Sequence, residues 1–347
     1  MRGKANPPPD KILLEDRQPQ DEAATLPGEA RSPLLADHPR RSQSYLALSL
    51  RRLFRKKLAV ICLGIIVLMY GSGILAPLVT PYGYNDQNLA IAKQDPSLAH
   101  PFGTDRLGRD ILTRIIFGLR TTVIITLASL VGGSLFLGIV LGLVSGYFGK
   151  LADGIVMRTG EVTSSFPDIF LVLIIVATVK PRIIEWVKSF EEATGIDWIV
   201  RLGIVDYLVI SFALAIFSWF GMARLVRGQV LQARENQYVE AARAVGASTP
   251  RILRVHVLPN VISPVIVSVS AGLAAFAGAE IILSWLGIGI QPPTPSLGVM
   301  IFENGDISVL RSDPHLLLFP VGTLAVLLFC FNLLGDAVND AFNPRAR

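Results

Sequence analysis

Six separate stretches of this chain are apolar over about the length an α-helix needs to cross a lipid bilayer, and few folds tolerate that. They cover 58–79, 121–147, 154–179, 205–222, 261–283 and 316–334. A hydrocarbon core about 30 Å thick takes about 20 helical residues. Backbone N–H and C=O groups find no water there, so each run must satisfy them internally, which a helix does. The expectation is an all-α integral membrane protein with six transmembrane helices. A mean hydropathy of +0.52 and a charged fraction of 17% exclude an ordinary soluble domain.

Charge placement orients these spans. The net charge is +5, but the basic residues stand beside apolar runs rather than in one patch, which argues against nucleic acid as a partner. Arg51, Arg52, Arg55, Lys56 and Lys57 precede the first span. Basic flanks favour the cytoplasmic side, so the N-terminus is expected there. Six crossings return the C-terminus to the same side, with 148–153 and 223–260 as inner loops. The second of these carries Arg224, Arg227, Arg234, Arg243, Arg251 and Arg254, in agreement. The first outer loop runs against the rule with Lys93, Arg106, Arg109, Arg114 and Arg120, offset in part by Asp105 and Asp110. Residues 1–47, rich in proline and charge, are expected to form an unstructured cytoplasmic tail. The first apolar run begins near Leu58, too late for a cleaved secretory signal. Cys62 and Cys330 sit in apolar runs and read as small buried hydrophobes. The histidines at 38, 100, 256 and 315 are scattered, so no metal site is expected.

Small residues and aromatics add detail. Gly138, Gly142 and Gly146 form one helix face, as do Ala271, Ala275 and Ala279. Such faces let another backbone come close, and packing within the chain is the favoured reading over a subunit interface. Ile183, Trp186, Val187 and Phe190, then Trp198, suggest an amphipathic helix in the outer loop 180–206, with tryptophans at headgroup depth.

The inner loop is the most informative segment. Glu240-Ala241-Ala242-Arg243-Ala244-Val245-Gly246 is followed by Leu258-Pro259. It reads as helix, turn, helix. Ala241, Ala242 and Ala244 leave a face another protein can approach closely. Gly246 suits a left-handed helix stop. Ser248 or Thr249 suits the next cap and Pro250 its first turn. Pro259 marks the passage into the next apolar run. Glu240 either faces a partner, the favoured reading, or pairs with Arg243 three residues on.

This segment resembles the EAA loop of ATP-binding-cassette (ABC) importer permeases, with His256 where the general pattern has Ile. The turn His100-Pro101-Phe102-Gly103-Thr104-Asp105-Arg106-Leu107-Gly108-Arg109-Asp110 is, physically, a Pro/Gly-punctuated corner whose Asp110 suits a helix cap. It resembles a signature of the C-type permease subunit of dipeptide, oligopeptide and nickel importers. Phe166-Pro167, Glu280, Leu283-Ser284-Trp285-Leu286-Gly287 and Asn332-Leu333-Leu334-Gly335-Asp336 follow in the family's order. Asn343 stands where the family has Asp, and the loop 180–206 is longer than the family's usual one. The resemblance covers about residues 48–347.

That resemblance implies an ABC type-1 (MetI-like) permease fold with a cytoplasmic coupling helix. It leaves the tail over 1–47 unexplained and implies a first transmembrane helix with outer loop over 48–118. An ABC type-1 domain would follow over 119–340, with the EAA loop at about 232–260 and a cytoplasmic C-terminus at 341–347. It implies a B-type permease partner, two ABC ATPase subunits and an extracytoplasmic substrate-binding protein, in a bacterial or archaeal cell membrane. Glu240, Ala241, Ala242, Gly246, Leu258 and Pro259 would couple to the ATPases. Cargo would be di- or oligopeptides, with nickel chelates or another small solute as the alternative.

No phosphate loop, HExxH, CxxC or GxSxG motif occurs, so no catalytic residue or cofactor is expected in this chain. ATP and Mg would be bound by the partner ATPases. Arg158, Glu161, Asp168 and Glu280 are costly inside a span unless paired or near water. Arg158 and Glu161 are expected to pair locally. Pathway lining is the alternative for Arg158, Glu161, Asp168 and Glu280, with Pro167 nearby. An ion-driven secondary transporter, the rival from another class, would need a midplane carboxylate and no docking loop.

Overall fold

The computed structural model describes residues 45–195 and 197–342. Among them every regular element is helical apart from one isolated antiparallel bridge between Thr104 and Asp110. Helix α1 (Tyr45–Arg55) ends one residue before α2 (Lys57–Ile74), and the single turn α3 (Ala76–Val79) follows. After an outer loop, α4 (Ile111–Ser129) passes through a π-helical stretch, Leu130–Gly138, into α5 (Ile139–Phe148). Then come α6 (Lys150–Thr163), α7 (Asp168–Thr194), α8 (Ile204–Ala233) and α9 (Gln237–Ala244). The single turn α10 (Thr249–Arg251) leads through a π-helical stretch, Ile252–Val257, into α11 (Leu258–Trp285). The chain closes with α12 (Leu297–Glu303), α13 (Ile307–Ser312) and α14 (His315–Phe342).

Five helices are long and apolar enough to cross a membrane: Lys57–Ile74, Ile111–Phe148, Ile204–Ala233, Thr249–Trp285 and His315–Phe342. They carry five of the six expected spans. The third differs. Instead of one helix over 154–179, α6 and α7 meet at a bend of 84° and make a sixth crossing only as a broken pair. Pro167 supplies the cause. It has no N–H for the ladder and disfavours helix at Phe166, so α7 restarts after it, with Pro167 extended at φ −61° and ψ 122°. α7 then runs well past 179 and stops at left-handed Gly195. The amphipathic segment expected in the outer loop is therefore the far half of α7. Ile183, Ile184 and Val187 pack against the buried α7–α8 cluster, while Trp186 and Phe190 stay exposed.

The glycine face of the second span packs inside the chain, against α8. An added Cβ at Gly142 would lie 2.7 Å from the Ala223 carbonyl, and at Gly146 2.7 Å from Val230 Cβ. One apolar core joins α2, α4, α11, α12 and α14 around Ile111, Leu119, Leu327 and Phe331, and holds both cysteines. Lys56 Nζ reaches Asp340 Oδ2 at 2.7 Å, so the start of α2 and the end of α14 share one end of the bundle. Lys93 Nζ and Asp313 Oδ2, 2.8 Å apart, join loops at the other end. The expected tail falls mostly outside the described residues, and residues 45–47 already belong to α1. Asn343 also lies outside them.

Candidate functional site

Helix α9 has only two turns, and Val239 is its buried anchor. Val239 is fully buried with Ile252, Val257 and Val261, so α9 rests on the π-helical stretch and the base of α11. Ala242 packs against the same cluster. Arg243 turns to the Tyr147 ring, its guanidinium carbon 5.8 Å from the centroid. Glu240, Ala241, Ala244 and Val245 face outward. Among the described residues the Glu240 carboxylate has neither an ion-pair nor a hydrogen-bond partner, so the local pair with Arg243 does not form.

Two backbone bonds close the helix. Gly246 N–H donates to the Arg243 carbonyl and Ala247 N–H to the Ala242 carbonyl, both at 3.0 Å. This is a Schellman stop, and it needs Gly246 at φ +80°. Nothing lies within 4 Å of an added Cβ there, so the constraint is backbone conformation alone. Ser248 takes the next cap position without a side-chain bond, and Pro250 falls in the first turn. Leu258 and Pro259 do not interrupt the chain, since helix continues from Thr249 to Trp285. The π-helical stretch just before Pro259 is where the ladder changes register.

At the opposite end the signature turn folds on itself. Asp105 accepts from the N–H groups of Leu107 and Arg109, from Arg109 Nε at 2.7 Å and from Arg114 Nη1 at 2.7 Å. Glu303 of α12 stands 3.5 Å from Arg114. His100 Nδ1 lies 2.9 Å from Asp110 Oδ1, while Asp110 Oδ2 caps α4 by accepting from Thr113 N–H at 2.7 Å. The helix so capped continues through the whole second span. Thr104 bridges Gln94 N–H and the Ile91 carbonyl. Gly103 and Gly108 have positive φ, and a Cβ on Gly108 would sit 1.8 Å from the Asn88 carbonyl oxygen. Pro101 starts the turn, and Phe102 stacks on Phe319 of α14 with centroids 4.1 Å apart.

Between these ends lies a cavity of about 900 Å³ bounded by α7, α8, α11 and the π-helical stretch of the second span. Gly272, Ala275, Phe276 and Ala279 line it from α11, and Asp168, Ser218 and Arg224 bring polar groups. The second small face thus opens partly onto a cavity. Arg158, Glu161, Pro167 and Glu280 are not among the lining residues. Arg158 and Glu161 form the expected local pair at 3.2 Å on exposed α6. Glu280 is fully buried and accepts three hydroxyl bonds, from Thr122, Ser284 and Ser296, each at 2.9 Å. Those bonds fasten α11 to α4 and to the segment before α12.

Residues 138–347 match the family of binding-protein-dependent transport system inner membrane components. The chain belongs to that family. Residues 44–101 also match the N-terminal TM domain of oligopeptide transport permease C. The dipeptide transport system permease protein DppC of Bacillus subtilis is 35% identical over 309 residues, 89% of this chain and 88% of that protein. The oligopeptide transport system permease protein OppC of Escherichia coli is 34% identical over 299 residues, 86% and 90% of the two chains. The OppC protein of Mycobacterium tuberculosis is 34% identical over 300 residues, 86% and 94%.

In this inner membrane component, two charge clusters escaped sequence reasoning. Lys180 is buried in α7 and lies 3.0 Å from Asp206 of α8, and it also donates to the Gly289 carbonyl at 2.6 Å. Asp206 in turn accepts from Gln291 N–H at 3.1 Å. Asp153 of α6 holds Arg227 of α8 through two contacts, one at 2.6 Å. Both pairs join residues far apart in sequence, and nothing in local spacing marks them.

Proposed function

We propose that this permease forms half of the translocation pathway of an ATP-driven importer of di- or oligopeptides. A B-type permease supplies the other half. Two ABC ATPases bind ATP and Mg below it, and an extracytoplasmic binding protein delivers cargo above. Both termini face the cytoplasm. The relatives named for dipeptide and oligopeptide transport support the peptide reading. The observation that carries the ATP-driven reading is the outward, unpartnered face of α9: Glu240, Ala241 and Ala244 are presented on a helix whose other side is locked down.

The coupling path follows from packing. Val239 and Ala242 bind α9 to the base of α11, and Arg243 binds it to Tyr147 at the end of α5. A partner that pulls on α9 therefore moves α11, which lines the cavity. ATP would select between two rigid packings rather than bend the chain smoothly.

The test is uptake of labelled dipeptide and nickel chelate by proteoliposomes holding the assembled complex. Uptake of dipeptide that requires internal ATP and the binding protein is expected. Uptake driven by an ion gradient without ATP would sink the ABC reading, and ATP-dependent uptake of chelate alone would replace the peptide.

A further inference from the structure

Helix α1 presents three distinct stripes. Successive residues turn by about 100°, so positions four apart share a side. Ser49 is buried, and Leu53 packs against Val338, Ala341 and Phe342 of α14. That stripe is held by protein. Next around the helix come Leu50 and Phe54, which are 47% and 55% exposed. Beyond them stand Arg51 and Arg55, with Arg52 and the partly exposed Leu48 completing the third side.

No acidic residue occurs between 45 and 57, against five basic ones. Lys56 is taken by Asp340. Arg51, Arg52, Arg55 and Lys57 have no ion-pair partner among the described residues. A single residue separates α1 from the first membrane span.

We propose that α1 is an in-plane binding site for anionic phospholipid headgroups. Water solvates the arginines but not Leu50 and Phe54, and a protein groove would need matching acidic groups. An anionic bilayer surface satisfies both stripes together. Leu50 and Phe54 enter the acyl boundary, and the guanidinium groups reach the phosphates, which they bind in forked geometry. The protein stripe and the Lys56–Asp340 pair fix the angle at which α1 meets that surface. Through α14 the occupied site restrains the end of the bundle where α2 begins.

The experiment uses the full chain in nanodiscs of phosphatidylcholine, with and without phosphatidylglycerol. Spin labels at Leu50→Cys and Phe54→Cys are expected to be reached by oxygen and shielded from a nickel complex. A label at Arg51→Cys should sit at headgroup depth. Native mass spectrometry is expected to find phosphatidylglycerol retained over phosphatidylcholine. The Arg51→Gln/Arg52→Gln/Arg55→Gln variant should lose that preference by roughly a hundredfold, and the matching lysine variant should keep most of it. Labels open to the nickel complex, or a preference unchanged in the glutamine variant, would overturn the proposal. Displacement of the lipid by inorganic phosphate would mean a free-anion site, and labels shielded without any lipid preference would mean a protein partner. Either result also rejects it. None of these readouts depends on cargo or ATP.

Discussion

The outer signature turn and the α9 module use similar parts, namely tight turns, glycines at positive φ and clustered charges, but they place the charges oppositely. In the turn, Asp105 is shared by two arginines and two backbone N–H groups, Asp110 by His100 and a helix end. Its functional groups are consumed by the fold. In α9 Val239, Ala242 and Arg243 serve the fold, while the Glu240 carboxylate has no partner among the described residues. A motif recognised by its residues therefore need not be a contact surface. The turn reads as a frame that seats the second span and α12, and α9 as a handle offered to something outside the chain. Variants at the two places should separate these roles.

Asp105→Asn should be the most damaging. It leaves Arg109 and Arg114, both buried, without their shared carboxylate. Breaking a buried ion pair from one side costs roughly 3–5 kcal/mol. The expected result is loss of protease-resistant protein in the membrane. A variant that accumulates and resists protease like the wild type would show that the turn is not a frame.

Gly246→Val should act at the handle. A β-branched residue at φ +80° carries strain of about 1–3 kcal/mol. Open space around the position means no clash adds to it. The chain should remain in the membrane while the ATPases no longer co-purify. Wild-type recovery of those subunits would remove the Schellman stop from the docking argument.

A smaller effect belongs to the outer frame. Lys93, and then the Ser312 hydroxyl, hold the Asp313 carboxyl below its ordinary range. A depressed carboxylate contributes stability above its unfolded value, about 3.9, and loses it as pH falls through the folded value. Lys93 is half exposed, so the pair is worth under about 1 kcal/mol. Lys93→Met should lower the melting temperature slightly at pH 7, and the gap should close toward pH 3. A gap independent of pH would assign Lys93 a different role.

What the sequence disclosed was local. Apolar length gives the crossings, Gly246 gives the stop of α9, and the three-residue interval gives the Arg158–Glu161 pair. Longer-range features were hidden. Averaged hydropathy over 154–179 conceals the bend, although Pro167 after two serines and a phenylalanine held the signal. Lys180 reads as the polar end of a span because its partner Asp206 lies beyond a whole loop. The pairing of Glu280 is hidden because the hydroxyls of Thr122 and Ser296, brought in by other elements, are not visible beside it.

Glu240→Lys should change the fold least and test the comparison most sharply. The side chain is exposed and unpartnered, so replacement is expected to cost under about 0.5 kcal/mol. Melting behaviour and membrane level should match the wild type. At an interface, however, the same change reverses a charge, and like charges brought together there cost several kcal/mol. Cargo-stimulated ATP hydrolysis and uptake should fall in the reconstituted complex, more for Glu240→Lys than for Glu240→Ala. That ordering separates a charge contact from mere surface, since loss of packing alone would make alanine the worse of the two. If both variants transport at the wild-type rate, the handle works through Ala241, Ala244 and the Gly246 stop, and the unpaired carboxylate is an ordinary solvated side chain.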